Sequence, residues 1–201
     1  MTSRMAAEAI AAVDHAASLL ESLGHQVTRL DTDLFDPVDL GHFLHLMQAG
    51  FADHLDIDPA DMEPHNQVSC AAGRALDSLT FASSLAALQR MTRALLARFD
   101  DEFDLLVTPT MAIEPPPVGL LAQVHAQPDF PPPEIVAMAA FTALFNITGQ
   151  PAVSLPLHLS ASGLPVGVQL VAGAFRDAQL IRVASQLEAA DPWVDRIPTL
   201  S

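Results

Sequence analysis

The chain predicts an α/β fold in which helices flank a mixed β-sheet, and three observations lead there. Segments with apolar residues at helical spacing alternate with short, continuous apolar runs bounded by proline or glycine. Two such runs, Ala152 to Leu157 and Val166 to Val171, lie close together and are joined by the turn-rich Ser160-Ala161-Ser162-Gly163. Strands so joined pair as a hairpin and make the sheet mixed. Half of the 201 residues are apolar, enough for a sizeable core.

The elements follow in order. Residues 6 to 23 read as a helix, with Ile10, Val13, Ala17 and Leu20 along one face and Gly24 placed as a C-terminal cap. A short strand is expected over Gln26 to Leu30. Asp36-Pro37 suits a helix start, and Val38, Leu40, Phe43, Leu44 and Met47 give that helix its apolar face. Residues 52 to 75 are mostly polar and read as irregular. A long helix runs from Ser78 to Phe99, with Asp77 as its N-cap and Phe81, Leu85, Leu88, Leu95 and Phe99 as its stripe. Asp104 to Thr108 is a buried strand stopped by Pro109. The proline density of residues 109 to 133 suits neither helix nor central strand, so this is a long loop. Glu134 to Phe145 and Asp177 to Glu188 read as helices, the latter with Leu180, Ala184 and Leu187 on one face.

Charge and hydropathy narrow the function classes. The charged fraction is 16%, against about 25% in an average globular domain, and the mean hydropathy is +0.30. No apolar run reaches the roughly 18 residues of a membrane span. The expectation is instead a surface that other protein covers, either a partner segment or a second copy. A net charge of −15 repels phosphate backbones and argues against nucleic acid. The opening MTSRMAAEAIAAVDHAA carries acidic residues in its apolar stretch, unlike a secretory leader, and the expected setting is the cytoplasm. A single cysteine, Cys70, excludes an internal disulfide and a cysteine-based zinc site.

Residues with chemical potential are scattered. Cys70 follows His65 by five positions, and a thiolate beside a base can attack a carbonyl. No glycine turn or third member accompanies it, so a small buried cysteine is the preferred reading. His42 and His45 share a helix face with His54 nearby, a spacing able to hold metal, yet no HExxH motif exists and ordinary histidines are preferred. Ser83-Ser84 lies inside a helical stripe, without the strained glycine turn that exposes a catalytic serine. Ser154 falls in a strand that reads as buried, with no evident base. Asp100-Asp101-Glu102 reads as a solvated helix end, and Gly163 to Gly167 lacks the spacing of a phosphate-binding loop.

Several blocks in a consistent order carry a resemblance. They are Leu19-Leu20-Glu21-Ser22-Leu23-Gly24-His25-Gln26-Val27, Ala86-Leu88-Gln89-Arg90 leading to Asp104-Leu105-Leu106-Val107-Thr108-Pro109-Thr110, and Phe141-Thr142 with Asn146. They continue through Thr148-Gly149-Gln150-Pro151-Ala152, Ser154-Leu155-Pro156, Gly163 to Leu170, and Leu187-Glu188 to Pro192-Trp193. From about residue 6 onward the chain resembles the C-terminal portion of the amidase signature family. The resemblance implies an α/β/α fold with a large mixed sheet and hydrolysis of carboxylic amides by a Ser–cis-Ser–Lys triad. That triad and its glycine- and serine-rich signature belong to the other half of such enzymes, and the nine basic residues here are all arginine.

Residues 1–201 are therefore expected to form a single partial domain with no catalytic residue of its own, inactive alone and active with an N-terminal half. A non-catalytic remnant or interaction module is the alternative. The resemblance implies no cofactor and no metal. Ala139 and Ala140 stand where glutamine-using relatives carry a carboxylate, so simple amidases acting on neutral or apolar amides are the nearer likeness. Thr142 and Asn146 are the substrate-binding candidates it supplies, with the proline-rich loop facing the same cleft. Asn146 has the alternative role of tying its turn through side-chain hydrogen bonds.

Overall fold

The computed structural model describes residues 5–30, 37–53, 57–120 and 133–196. In chain order the elements are α1 (Ala7–Ser22), α2 (Pro37–Ala52), a 3-10 turn (Pro59–Asp61), α3 (Pro64–Ala75), α4 (Ser78–Asp101), β1 (Leu105–Pro109), α5 (Pro133–Ala139), α6 (Ala143–Thr148), β2 (Ala152–Leu159), β3 (Pro165–Ala172) and α7 (Asp177–Ala190). They fall into two compact units. One contains Met1–Thr32, Arg98–Pro115 and Glu134–Ser201, and the other Asp33–Ala97 and Pro116–Pro133.

The first unit is built on a three-stranded sheet in the order β1-β3-β2. The predicted hairpin is present: β2 and β3 are antiparallel, with Val153 opposite Leu170 and a register shift between Leu155 and His158. β1 runs antiparallel to β3 on its other side, with Val107 opposite Leu170. The α/β class with helices against a sheet holds. The parallel pairings that a mixed sheet also needs are not among the described residues.

One sheet face forms the core. Strand alternation points Val153, Leu155 and Leu157 of β2, Val166, Val168, Leu170 and Ala172 of β3, and Leu105 and Val107 of β1 toward the same side. α1 packs on all three strands there, and α7 on β2 and β3. α7 contributes Leu180, Val183 and Leu187.

α1 differs from expectation. Of Ile10, Val13, Ala17 and Leu20 only Leu20 is buried, and the packing surface is Ala9, Ala12, Ala16 and Leu20. Alanines let the helix axis approach the sheet closely, which a row of larger side chains would prevent. Gly24 closes α1 at φ +90°, the left-handed cap its position predicted. The strand expected over Gln26 to Leu30 is absent, because that segment has no sheet partner among the described residues.

The second unit is helical. α4 begins as predicted: the Asp77 carboxylate accepts the N–H groups of Leu79 and Thr80, both at 2.9 Å, and the Thr80 hydroxyl at 2.6 Å. These bonds, the Thr80 hydroxyl first, hold the Asp77 pKa below the ordinary carboxylate range. Residues 64–75, expected to be irregular, form α3. Proline at its first position pre-sets the helical φ, and the buried residues are Ser69 and Cys70 rather than large apolar side chains. Gly73 seats α3 against α2, since a Cβ there would lie 1.9 Å from the Gln48 carbonyl oxygen.

In the first unit again, the helix expected over 134–145 is interrupted at residues 140–142 and resumes as α6. α6 ends at Gly149, whose φ of +68° is the left-handed conformation that glycine adopts without strain.

Candidate functional site

The opposite face of the sheet carries different chemistry. Alternation places Leu106 and Thr108 of β1, Gly167, Gln169 and Val171 of β3, and Ala152 and Ser154 of β2 on that side. The Gln169 amide, 4% exposed, donates to the Thr108 hydroxyl at 3.0 Å and to the Phe141 carbonyl at 3.2 Å. The segment between α5 and α6 is thereby fixed over the middle of this face.

Beyond the end of β1 the backbone N–H of Thr110 donates to the Gly167 carbonyl at 2.9 Å. The Thr110 hydroxyl then reaches the Ser154 hydroxyl at 2.6 Å. Gly167 makes room for the pair: a Cβ there would lie 2.7 Å from Ser154 Oγ and 2.8 Å from Thr110 Oγ1. The two hydroxyls floor an open groove whose walls are Met111, Ile113, Pro115 and Pro165. None of its described lining residues is charged.

The Thr148-Gly149-Gln150-Pro151 run locks this side of the sheet. The Thr148 hydroxyl donates to Gln150 Oε1 at 3.1 Å, and buried Gln150 donates through Nε2 to the Ala172 carbonyl at 2.8 Å. The Ala172 N–H returns a bond to the Pro151 carbonyl at 3.1 Å. Thr108, Thr110, Gln150 and Gln169 lie in the segments that carry the resemblance, but the sequence alone gives them no role at a site. Their signal was available, as a polar side chain within or beside an apolar run that is buried only when it has a partner.

The sequence candidates are placed as follows. Thr142 is half-buried just before α6, its hydroxyl 3.4 Å from the Ala139 carbonyl, and its neighbour Phe141 supplies the carbonyl that Gln169 binds. Asn146 is exposed on α6, and its backbone N–H donates to the Thr142 carbonyl at 3.1 Å. No side-chain hydrogen bond of Asn146 is found among the described residues; the turn after α6 is held by the Gly149 N–H on the Phe145 carbonyl at 2.9 Å and by the Thr148 hydroxyl on Gln150. Ser154, read as buried, is exposed, because the face it shares with Ala152 is not covered at that point.

The remaining candidates sit apart from the groove. Cys70 is buried, 1% exposed. His42 and His45 both direct Nδ1 at the buried Ser84 hydroxyl, at 3.1 and 2.9 Å. Among the described residues no three histidine, cysteine or acidic side chains are grouped to hold a metal, and His54 lies outside those residues. Ser83 donates to the Thr80 carbonyl at 3.0 Å. The acidic run ends in an ion pair, with Arg98 Nη2 at 2.7 Å from Glu102 Oε2. That guanidinium holds the Glu102 carboxyl below its ordinary value. No helix among the described residues is long and apolar enough to cross a membrane.

The site thus combines a sheet covered by two helices on one face with an open groove of uncharged described residues on the other, an α/β arrangement. Residues 2–181 match the family model described as Amidase, and the chain belongs to the amidase family. It is 31% identical over 213 residues to a 6-aminohexanoate-cyclic-dimer hydrolase of Pseudomonas sp. (strain NK87), covering 96% of this chain and 42% of that relative. A solved 6-aminohexanoate cyclic dimer hydrolase complexed with its substrate superposes with a TM-score of 0.88 at 29% identity, over 97% of this chain and 44% of that one. A bacterial aryl acylamidase of the amidase signature family shares the fold, with a TM-score of 0.74 at 20% identity, over 94% of this chain and 41% of that one. The chain thus spans about two fifths of the length of these relatives.

Proposed function

We propose that this chain is the C-terminal, cleft-forming part of an amide hydrolase that splits a carboxylic amide with water into an acid and an amine. The observation that carries the reading is the pairing of two facts: a family match over residues 2–181 and 201 residues without a lysine. Acyl transfer of this kind needs a nucleophile activated by a base within hydrogen-bond reach. Ser154 bonds another hydroxyl and Ser83 a carbonyl; Ser84 has His42 and His45 within hydrogen-bond reach, but at 1% exposure it is closed to a substrate. The nucleophile and base are therefore assigned to residues outside this sequence, in an N-terminal half that completes the sheet. Ala139 and Ala140 beside Thr142, and the uncharged groove, favour neutral or apolar amides as substrates. Thr142 and Asn146 are proposed on the substrate side of the assembled cleft. The proposed setting is the cytoplasm, supported by a lone Cys70 that requires no disulfide.

The test is complementation. The purified chain, offered a panel of aliphatic and aryl amides, is expected to show no turnover. Mixing it with a separately produced N-terminal half bearing a lysine and a glycine-flanked double serine is expected to restore hydrolysis. Activity of the chain alone that survives purification and disappears in Cys70→Ala would overturn the proposal.

A further inference from the structure

The two hydroxyls on the groove floor have a hydrogen-bond capacity that fits one functional group better than its hydrolysis product. We propose that Thr110 and Ser154 anchor a neutral amide group and discriminate it from the carboxylate that hydrolysis makes; this rests on the amide-hydrolase reading above.

Two hydroxyls bring two hydrogens and four lone pairs. Their mutual bond, at 2.6 Å, consumes one hydrogen and one lone pair. One donor and several acceptor sites remain. An amide presents a carbonyl acceptor and an N–H donor, so each of its polar groups meets a complement. A carboxylate presents acceptors only, and once one oxygen takes the single donor the other faces lone pairs.

Charge acts in the same direction. Among the described residues no arginine or histidine lines the groove, the chain has no lysine, and its net charge is −15, so an anion there is neither paired nor attracted. Met111, Ile113, Pro115 and Pro165 offer apolar contact to the chain attached to the amide. Hydrolysis converts R–CO–NH–R′ and water into R–COO⁻ and R′–NH₃⁺. The anchor takes part in no bond change; it holds the neutral reactant and releases the anionic product.

Gly167 is the structural condition for the anchor, because a Cβ there would displace both hydroxyls. Its φ is not in the left-handed region, so Gly167→Ala perturbs the pair without straining the backbone.

The experiment is an NMR titration of the 201-residue chain with hexanamide and, separately, with hexanoate at matched ionic strength. Hexanamide is expected to shift the signals of Thr110, Ile113 and Gly167, and hexanoate to bind at least about tenfold more weakly. Thr110→Val, which keeps the shape and removes the hydroxyl, is expected to weaken hexanamide about fivefold and leave hexanoate unchanged. Ser154→Ala provides the same test from the other hydroxyl if Thr110→Val disturbs the fold. Equal affinities for the two ligands, shifts confined to other regions, or an unaltered hexanamide affinity in Thr110→Val would overturn the proposal. The two readings separate cleanly. A complemented enzyme that turns over hexanamide with a KM untouched by Thr110→Val removes the anchor and keeps the function. Selective hexanamide binding without turnover on complementation does the reverse.

Discussion

Leu155 and Ser154 are neighbours in β2 and lie in opposite chemistry. Leu155 faces α1 and α7 with Leu157, Val168 and Leu170, all nearly fully buried. Ser154 faces away, exposed, with a threonine hydroxyl as its partner. The same contrast recurs in β3, where Val168 belongs to the core while Gly167 and Gln169 belong to a polar stripe. A sheet face that only had to be buried would be apolar throughout. The opposite face instead keeps hydroxyls and a buried amide paired with one another and with the Phe141 backbone, and the proposed amide anchor lies there.

The largest expected effect comes from testing the two neighbours against each other. Leu155→Ala removes buried methyl groups and leaves a cavity, at a cost of about 2–5 kcal/mol. Ser154→Ala, on the open face, is expected to stay within about 0.5 kcal/mol. Urea unfolding of both variants measures the difference. A loss below about 1 kcal/mol at Leu155, or comparable losses at the two positions, would break the contrast between the faces.

That contrast was half legible in the sequence. Runs such as Ala152 to Leu157 and Val166 to Val171 announce strands, and the short turn between them announces their pairing, because both signals are local. The pairing of β1 with β3 was not readable, since a register between Val107 and Leu170 leaves no trace in either segment's own periodicity. The Thr110–Ser154 contact joins residues 44 positions apart and is invisible for the same reason. α3 is not legible in the sequence because its packing relies on Ser69, Cys70 and a glycine backbone, which form no apolar stripe. The buried face of α1 differs from the one its periodicity suggests because alanines carry the burial expected of Ile10 and Val13. Thr142 and Asn146 came from resemblance, and local geometry explains how Phe141 beside them is held by Gln169.

Gln169 gives the intermediate effect and sharpens the account of the second face. It is buried, and its amide satisfies both the Thr108 hydroxyl and the Phe141 carbonyl. Gln169→Leu keeps the volume and leaves those groups without their donor, at about 1–3 kcal/mol. Hydrogen exchange is expected to accelerate at residues 141–146 while remaining slow across Val166–Ala172. A neutral substitution would mean that the polar stripe does not hold the Phe141 segment, and the assignment of Thr142 to the same face would lose its support.

The smallest effect tests the rim of the covered face, where a charge joins α1 to the hairpin. The Glu8 carboxylate accepts the Ala161 N–H at 2.9 Å and lies 2.9 Å from His158 Nε2. The Ala161 bond first, and the His158 bond second, hold the Glu8 pKa below the ordinary carboxylate range. A lowered folded-state pKa means that the unfolded chain binds the proton more readily, so the contribution is present above the ordinary carboxylate value and is lost as pH falls through the folded one. Glu8→Gln cannot ionise and lacks this contribution at every pH. Melting temperatures of the two proteins are therefore expected to differ at neutral pH and to converge as pH drops through and below the carboxylate range. Asp77 and Glu102 have lowered pKa values of their own, but they are common to both proteins and cancel in the difference. A gap that stays constant with pH would show that Glu8 acts through shape alone, and that charge plays no part in fastening α1 to the turn between β2 and β3.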